Sequence, residues 1–248
     1  MKTGDIFQAN QGGSCVVVQY IDYKNVVIEF QDQYRYTATV SADSLLRGRF
    51  KNPYHPNVFG VGYIGIGSAI VSTNRKASIE YRTWASMLKR CYNEDYLSKY
   101  PTYRGCTVCD EWHNFQVFSK WLLGNRYHGL GYELDKDLLA VNSKVYSPNT
   151  CVLIPQQINK ILTSSGAARG KYPLGVSRNK RRGVFQAHLR MNSQPTNLGS
   201  FDCPKDAHEA YVIAKEAYVK ETALEWKDRI DPRAFSALMN WRVQSLDQ

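Results

Sequence analysis

The stretch YPLGVSRNKRRGVFQAHLRMNSQPTNLGSFDCPKDAHEAYVIAKEAYVKETALEW, residues 172–226, decides the fold of the C-terminal part of the chain. Leu174–Arg178, Phe185–Arg190 and Thr196–Phe201 read as three strands, because apolar and polar side chains alternate at period two. From about Pro204 to Trp226 the period lengthens to that of a helix. Ala207, Ala210, Tyr211, Ala214 and Tyr218 then form one stripe of mostly small residues that lets the helix lie close on a sheet. The expectation is a three-stranded antiparallel sheet packed on one helix. If Phe185, Ala187 and Leu189 face that helix, Gln186, His188 and Arg190 face outward. Arg178, Lys180 and Arg182, on the preceding strand and turn, are expected to share the outer side.

Charge supports a role for that face. The chain carries 32 Lys and Arg against 22 Asp and Glu, a net charge of +10. Between Asp137 and Asp202 there is no acid, while Lys144, Lys160, Arg169, Lys171, Arg178, Lys180, Arg181, Arg182 and Arg190 supply nine cations. Apolar residues such as Ile158, Leu174, Val176, Phe185 and Leu189 interleave them, so the segment can fold and display its charge. Clustering of this kind is rewarded by counterion release on a phosphate backbone. A sheet ribbon fits the major groove, where Arg reads guanine and Gln or His bonds base edges. A merely solvated polar face is the competing reading.

Toward the N-terminus, a short helix is expected over Gln156–Leu162, preceded by extended runs at Tyr132–Leu139 and Tyr146–Ile154. Helices are expected from Ser78, with Tyr81, Trp84, Leu88 and Cys91 on one face, and over Asn114–Leu123, ended by Gly124. Val71–Ala77 reads as a linker, and 163–170, TSSGAARG, as a domain boundary. Residues 1 to about 67 read as β: Val16, Val18 and Tyr20 alternate with polar or outward positions, and Val26, Ile28 and Phe30 resume the period. Gly60-Val61-Gly62-Tyr63-Ile64-Gly65 satisfies the dinucleotide fingerprint by letter, but prolines precede it and no helix follows, so a glycine-rich turn is the better reading.

Two resemblances join these observations. Gly175, Val176, Phe185, Ala187, Leu198, Gly199, Phe201, Ala207, Ala210 and Tyr211 match the pattern of the APETALA-type, or ethylene-response-factor-type, DNA-binding domain over roughly residues 172–216. In that family the sheet enters the major groove. The resemblance implies contacts to double-stranded DNA from Arg178, Lys180, Arg182, His188 and Arg190, and Gln186 shares their outer face. Residues 79–162 resemble phage-encoded, homing-type HNH endonucleases through Trp84, Met87-Leu88, Arg90-Cys91-Tyr92-Asn93, Tyr103-Arg104-Gly105, Cys109-Asp110-Glu111-Trp112, Leu134-Asp135-Lys136 and Tyr146-Ser147-Pro148-Asn149-Thr150-Cys151. Such modules often precede an APETALA-type domain, and the order here agrees.

A ββα nuclease needs a metal on carboxylate and imidazole or amide ligands and a His to deprotonate water. Asp135, Asp137 and Asn149 are the candidate metal ligands; Asp135, Asn149 and His128 are the candidate catalytic set. An active centre would take magnesium or manganese. Lys136 fills the place expected for the base, and an ammonium is a poor base and repels a cation. Two readings therefore stay open, a degenerate nuclease module and an active endonuclease. Cys106-Thr107-Val108-Cys109 with His113 lacks an evident fourth ligand, so zinc is not expected.

The fold class is thus α+β and multi-module: a small N-terminal β barrel or sheet over 1–70, an HNH-like ββα module over 78–162, the sheet-plus-helix over 171–226, and a helical tail over 227–248. No run is long and apolar enough for a bilayer, no export signal is visible, and six scattered cysteines are no disulfide framework. A bacterial cytoplasm, without membrane contact, is the expected place. A phage or host protein is a further expected partner, through the N-terminal β module.

Overall fold

The computed structural model describes residues 1–162 and 171–243. The chain is α+β and divides into two compact units, residues 1–126 with 144–149, and residues 127–143 with 150–248. The stretch 78–162, expected as one module, contributes to both. The boundary expected at 163–170 lies outside the described residues.

The first unit opens with β1 (Ile6–Gln8), β2 (Ser14–Tyr20), β3 (Val26–Phe30) and β4 (Thr37–Val40), an antiparallel sheet in chain order. The face of β2 is the reverse of the one expected. Cys15 and Val17 are buried while Val18 and Tyr20 are exposed, because Cys15 lies opposite Phe30 and Val17 opposite Ile28, with a register shift at Val18. The run Cys15-Val-Val-Val carries no period, so its partner strand decides which side chains enter the core. α1 (Ala42–Leu46) follows, capped by the Ser41 hydroxyl accepting from Ser44 N, and Leu45 closes the core.

No helix opens at Gly65. At Gly62 a Cβ would stand 2.4 Å from Leu88 Cδ1 and 2.9 Å from the Trp84 ring, so this glycine permits close packing against those two side chains. Where a linker is expected, β5 (Ser72–Thr73) and β6 (Lys76–Ala77) form a small hairpin turning through Asn74 and Arg75, both at positive φ. α2 (Ile79–Tyr92) is capped by Ser78 and buries Trp84, Met87, Leu88 and Cys91. α3 (Glu94–Lys99) and β7 (Thr107–Val108) lead to α4 (Phe115–Leu123), capped by Asn114. The buried Trp84 Nε1 donates to Trp112 O at 2.7 Å, tying α2 to the turn before α4.

The second unit begins with β8 (Glu133–Asp135). β9 (Val145–Tyr146) returns to the first unit to pair with β7 in parallel. β10 (Val152–Ile154) then pairs with β8, Asp135 opposite Val152. α5 (Gln156–Leu162) completes a ββα order, held to β8 by Asn159 Nδ2 and Gln156 Nε2 donating to the Glu133 carboxylate at 2.6 and 3.1 Å. β11 (Val176–Asn179), β12 (Val184–Met191) and β13 (Gln194–Phe201) form the expected antiparallel sheet. α6 (Pro204–Trp226) has the expected bounds, with Cys203 as cap and Pro204 at the first helical position. α7 (Pro232–Met239) is the helical tail.

α6 spans about 34 Å and serves two cores. Its N-terminal half sets Ala207 and Tyr211 against the sheet; its C-terminal half sets Val219 and Ala223 among Val152, Ile154, Ile158, Ile230 and Leu238. Gly175 sits under the ring of Tyr211, where a Cβ would be 2.1 Å from Cδ2, so no other residue fits the sheet's approach to the helix.

Candidate nucleic-acid interface

The strand registers settle the two faces of the C-terminal sheet. Directly opposed residues in an antiparallel pair share a face. Ala187 and Leu189 are buried toward α6, whereas His188 and Arg190 are exposed on the other side. Ser177 stands opposite Gln186, and on β13 Ser200 stands opposite Gln186 and Asn197 opposite His188. The outer face over these residues is therefore polar, exposed at Ser177, His188, Asn197 and Ser200 and half-buried at Gln186, and among the described residues it holds no acid. A bulge at Leu198 turns that side chain inward to the core and leaves Asn197 outward.

Arg178 is a correction. It pairs with Phe185, on the same side as Ala187, and its guanidinium lies 5.8 Å from the centre of the Phe185 ring. The expected shared face came from carrying the alternation of Arg178, Lys180 and Arg182 straight through the turn. Lys180 and Arg182 are instead in the loop itself, with Arg181. The Asn179 side chain accepts from Arg181 N and Arg182 N, each at 3.2 Å, and Gly183, at φ +74°, donates to Asn179 O at 2.9 Å. This loop projects three exposed cations, and Asn179 and Gly183 supply the turn chemistry that holds them.

Beside the sheet lies a groove of about 920 Å³. β11 begins only at Val176, so among the described residues no strand covers the far half of β12 on that side, beyond the bond from His188 N to Gly175 O at 2.8 Å. His188 and Arg190 line the groove from the sheet, Lys160 from α5 and Lys215 from α6. Burial pushes the Lys215 ammonium below its ordinary pKa, and its Nζ donates to Ile161 O at 2.6 Å. Lys215 is a functional candidate that sequence reasoning missed, and Lys160 enters it only as one of the nine cations of the acid-free stretch. Both sit on helices, where the period-two count that marks the sheet face has no purchase.

No family model, curated protein or solved structure matches the chain.

Of the residues read as a nuclease centre, Asp135, Asp137 and His128 belong to the second unit and Asn149 to the first. Asp135 Oδ1 accepts from Asp137 N at 3.0 Å and Leu138 N at 2.8 Å, shaping the turn that leaves β8. Burial raises the Asp135 carboxyl pKa, an effect those two amide bonds partly offset. Lys136 is buried; its ammonium donates to the Asp137 carboxylate and to Ser143 O. His128 is half-buried and Asn149 exposed. Among the described residues no group of three or more His, Cys, Asp and Glu side chains could hold a metal ion. Cys106 is buried, and burial raises the Cys109 thiol to about 11, so it stays protonated at neutral pH. His113 lies 3.9 Å from Asp110 and 3.4 Å from the Tyr92 hydroxyl.

In the first unit a groove of about 530 Å³ is walled by Tyr34, Tyr54 and Tyr63 with His55 and His113. Tyr34 stacks on Tyr54 at 4.4 Å and donates its hydroxyl to that of Tyr63 at 2.8 Å. Among the described residues no helix is long and apolar enough to cross a membrane.

Proposed function

We propose that this protein binds double-stranded DNA through its C-terminal sheet, with the ββα segment acting as scaffold and not as a cutting centre. The observation that carries the reading is the outer face, where Gln186 stands opposite Ser177 and Ser200, His188 opposite Asn197, and Arg190 is exposed one step further along β12, beside a loop of three cations. Such a face gives phosphates their counter-charges at the loop and base edges their donors on the strands. The resemblance to the APETALA-type domain agrees with this use of the sheet. Gln186, His188 and Arg190 are the base-facing set; Lys180, Arg181 and Arg182 are the backbone set. Arg178, stacked on Phe185, contributes charge from the opposite side.

Against cutting, the Lys136 ammonium occupies Asp137 and stands next to Asp135, where a divalent cation would be repelled. The ββα order remains what an endonuclease of the resembled type would use, with magnesium or manganese. A single experiment tests both statements. Replacing Arg181, Arg182 and Arg190 by Ala should weaken duplex binding and lower the salt slope by up to about 1.8, at roughly 0.9 for each phosphate that Arg181 and Arg182 no longer neutralise. Arg178→Ala should change that slope by less than either loop arginine does. In the same samples, plasmid should stay uncut with magnesium or manganese. Unchanged affinity in the triple variant would overturn the sheet reading, and metal-dependent nicking abolished by Asp135→Ala would replace the scaffold by an endonuclease.

A further inference from the structure

The groove between α5, α6 and the exposed end of β12 is continuous with the DNA-facing side of the sheet. His188 and Arg190 belong to both surfaces, since they are exposed on the outer face and are among the residues that line the groove. A duplex held on the sheet therefore has its flanking strand beside the groove mouth. Across the groove, Lys160 is exposed at the end of α5 and Lys215 stands half-buried on α6. Neutral donors fill the remaining polar lining, among them Gln156 and Asn192, and among the described residues no Asp or Glu contributes to it. Glu216, the acid next to Lys215, is engaged elsewhere, 3.5 Å from the Arg242 guanidinium and accepting from Val243 N.

We infer that this groove is a second anchoring site, which takes the phosphodiester backbone of the DNA flanking the sheet's footprint, with Lys160 and Lys215 as its phosphate contacts. The inference rests on the DNA-binding reading above. Three cations converging without an acid repel one another, and an anion in the groove relieves that repulsion. Lys215 gains most, because a phosphate would stabilise the charge that burial penalises while its remaining ammonium protons stay available beside the bond to Ile161 O. The wall is firm, since Tyr218 fixes the loop after β12 by accepting from Asn192 N at 2.9 Å and donating to Asn192 Oδ1 at 3.1 Å.

The test uses the full chain and fluorescently labelled duplexes of increasing length, with anisotropy measured across a salt series. Wild-type protein should gain affinity once the flanks reach the groove, and its salt slope should steepen by about 1.8, at roughly 0.9 for each of Lys160 and Lys215. A Lys160→Gln, Lys215→Gln double variant should bind the shortest duplex as wild type does, which also shows that it is folded, and should lose the gain with length. Lys160→Glu, at an exposed position, should lose more than Lys160→Gln. The same length dependence and slope in wild type and all variants would overturn the groove while leaving the sheet reading intact. Failure of wild type to bind any duplex would overturn both.

Discussion

At the scale of single residues, burial sets the chemistry of the thiols in the first unit. Cys15 is wholly buried on β2 and Cys109 half-buried before the Trp112 turn, and burial raises both thiols to about 11 from an ordinary 9.0. A group whose pKa is higher in the folded state holds its proton there while the unfolded chain gives it up. Its contribution to stability is complete below pH 9 and is lost as pH rises toward 11. Unfolding free energy should therefore fall across that window, with a slope of at most about 1.4 kcal/mol per pH unit for each thiol. Denaturant titrations of wild type and of a Cys15→Ala, Cys109→Ala variant provide the check. The variant should be less stable at pH 7, having lost side-chain volume, yet show a shallower alkaline decline; parallel declines would mean that the thiols do not carry the effect. The same protonation makes both thiols slow nucleophiles at neutral pH.

Among the elements, α6 does the most, because one helix covers a sheet with its first half and a ββα core with its second. A fragment limited to residues 171–226 would expose Val219 and Ala223, which pack on β10, α5 and α7 in the intact unit. Losing that cover should cost on the order of 3 kcal/mol. Urea unfolding followed by far-UV circular dichroism should give a lower midpoint for 171–226 than for 127–248, and equal midpoints would show that the sheet and the first half of α6 suffice. How much was legible in the sequence follows the same division. The bounds of α5 and α6 agree with the sequence reading, because Pro155 and Pro204 mark where they begin and apolar residues recur at helical spacing. Three strands appear where alternation is clean. The face of β2 was not legible, since Cys15-Val-Val-Val has no polar position to break the symmetry, and β5–β6 was missed because an exposed two-residue strand buries nothing. The site shows the same limits. His188 and Arg190 were readable from the alternation of β12, whereas Arg178 depended on a loop length that only the pairing with Phe185 reveals. Lys160 and Lys215 lie far apart in sequence, and nothing local announces that two helices bring them to one groove.

On the scale of the whole molecule, a long run of cations without acids, and not net charge, distinguishes the second unit, since the first carries 16 Lys and Arg against 10 Asp and Glu and the second 16 against 12. Of the nine cations in the acid-free span 138–201, all but Lys144 belong to the second unit, because residues 144–149 alone return to the first. The first unit offers instead a tyrosine-walled groove with no Lys or Arg in its lining, a surface poorly suited to a phosphate backbone. DNA should therefore act on one unit. Hydrogen exchange on the full chain, with and without duplex, should show slower exchange in β11, the 180–183 loop and β12, whose amides gain cover or are stiffened by the contact, and also at the C-terminal end of α5 if flanking backbone fills the groove. Exchange in β2 and β3, whose cores are closed by Val17, Ile28 and Phe30, should be unaltered. Protection that instead maps to the segments carrying Tyr34, Tyr54 and Tyr63 would move the nucleic-acid interface to the first unit, since an aromatic wall stacks unpaired bases without needing cations. Protection in neither unit, at a duplex concentration that saturates anisotropy, would mean that binding is too diffuse to order the sheet, and would remove the case for base reading by Gln186, His188 and Arg190.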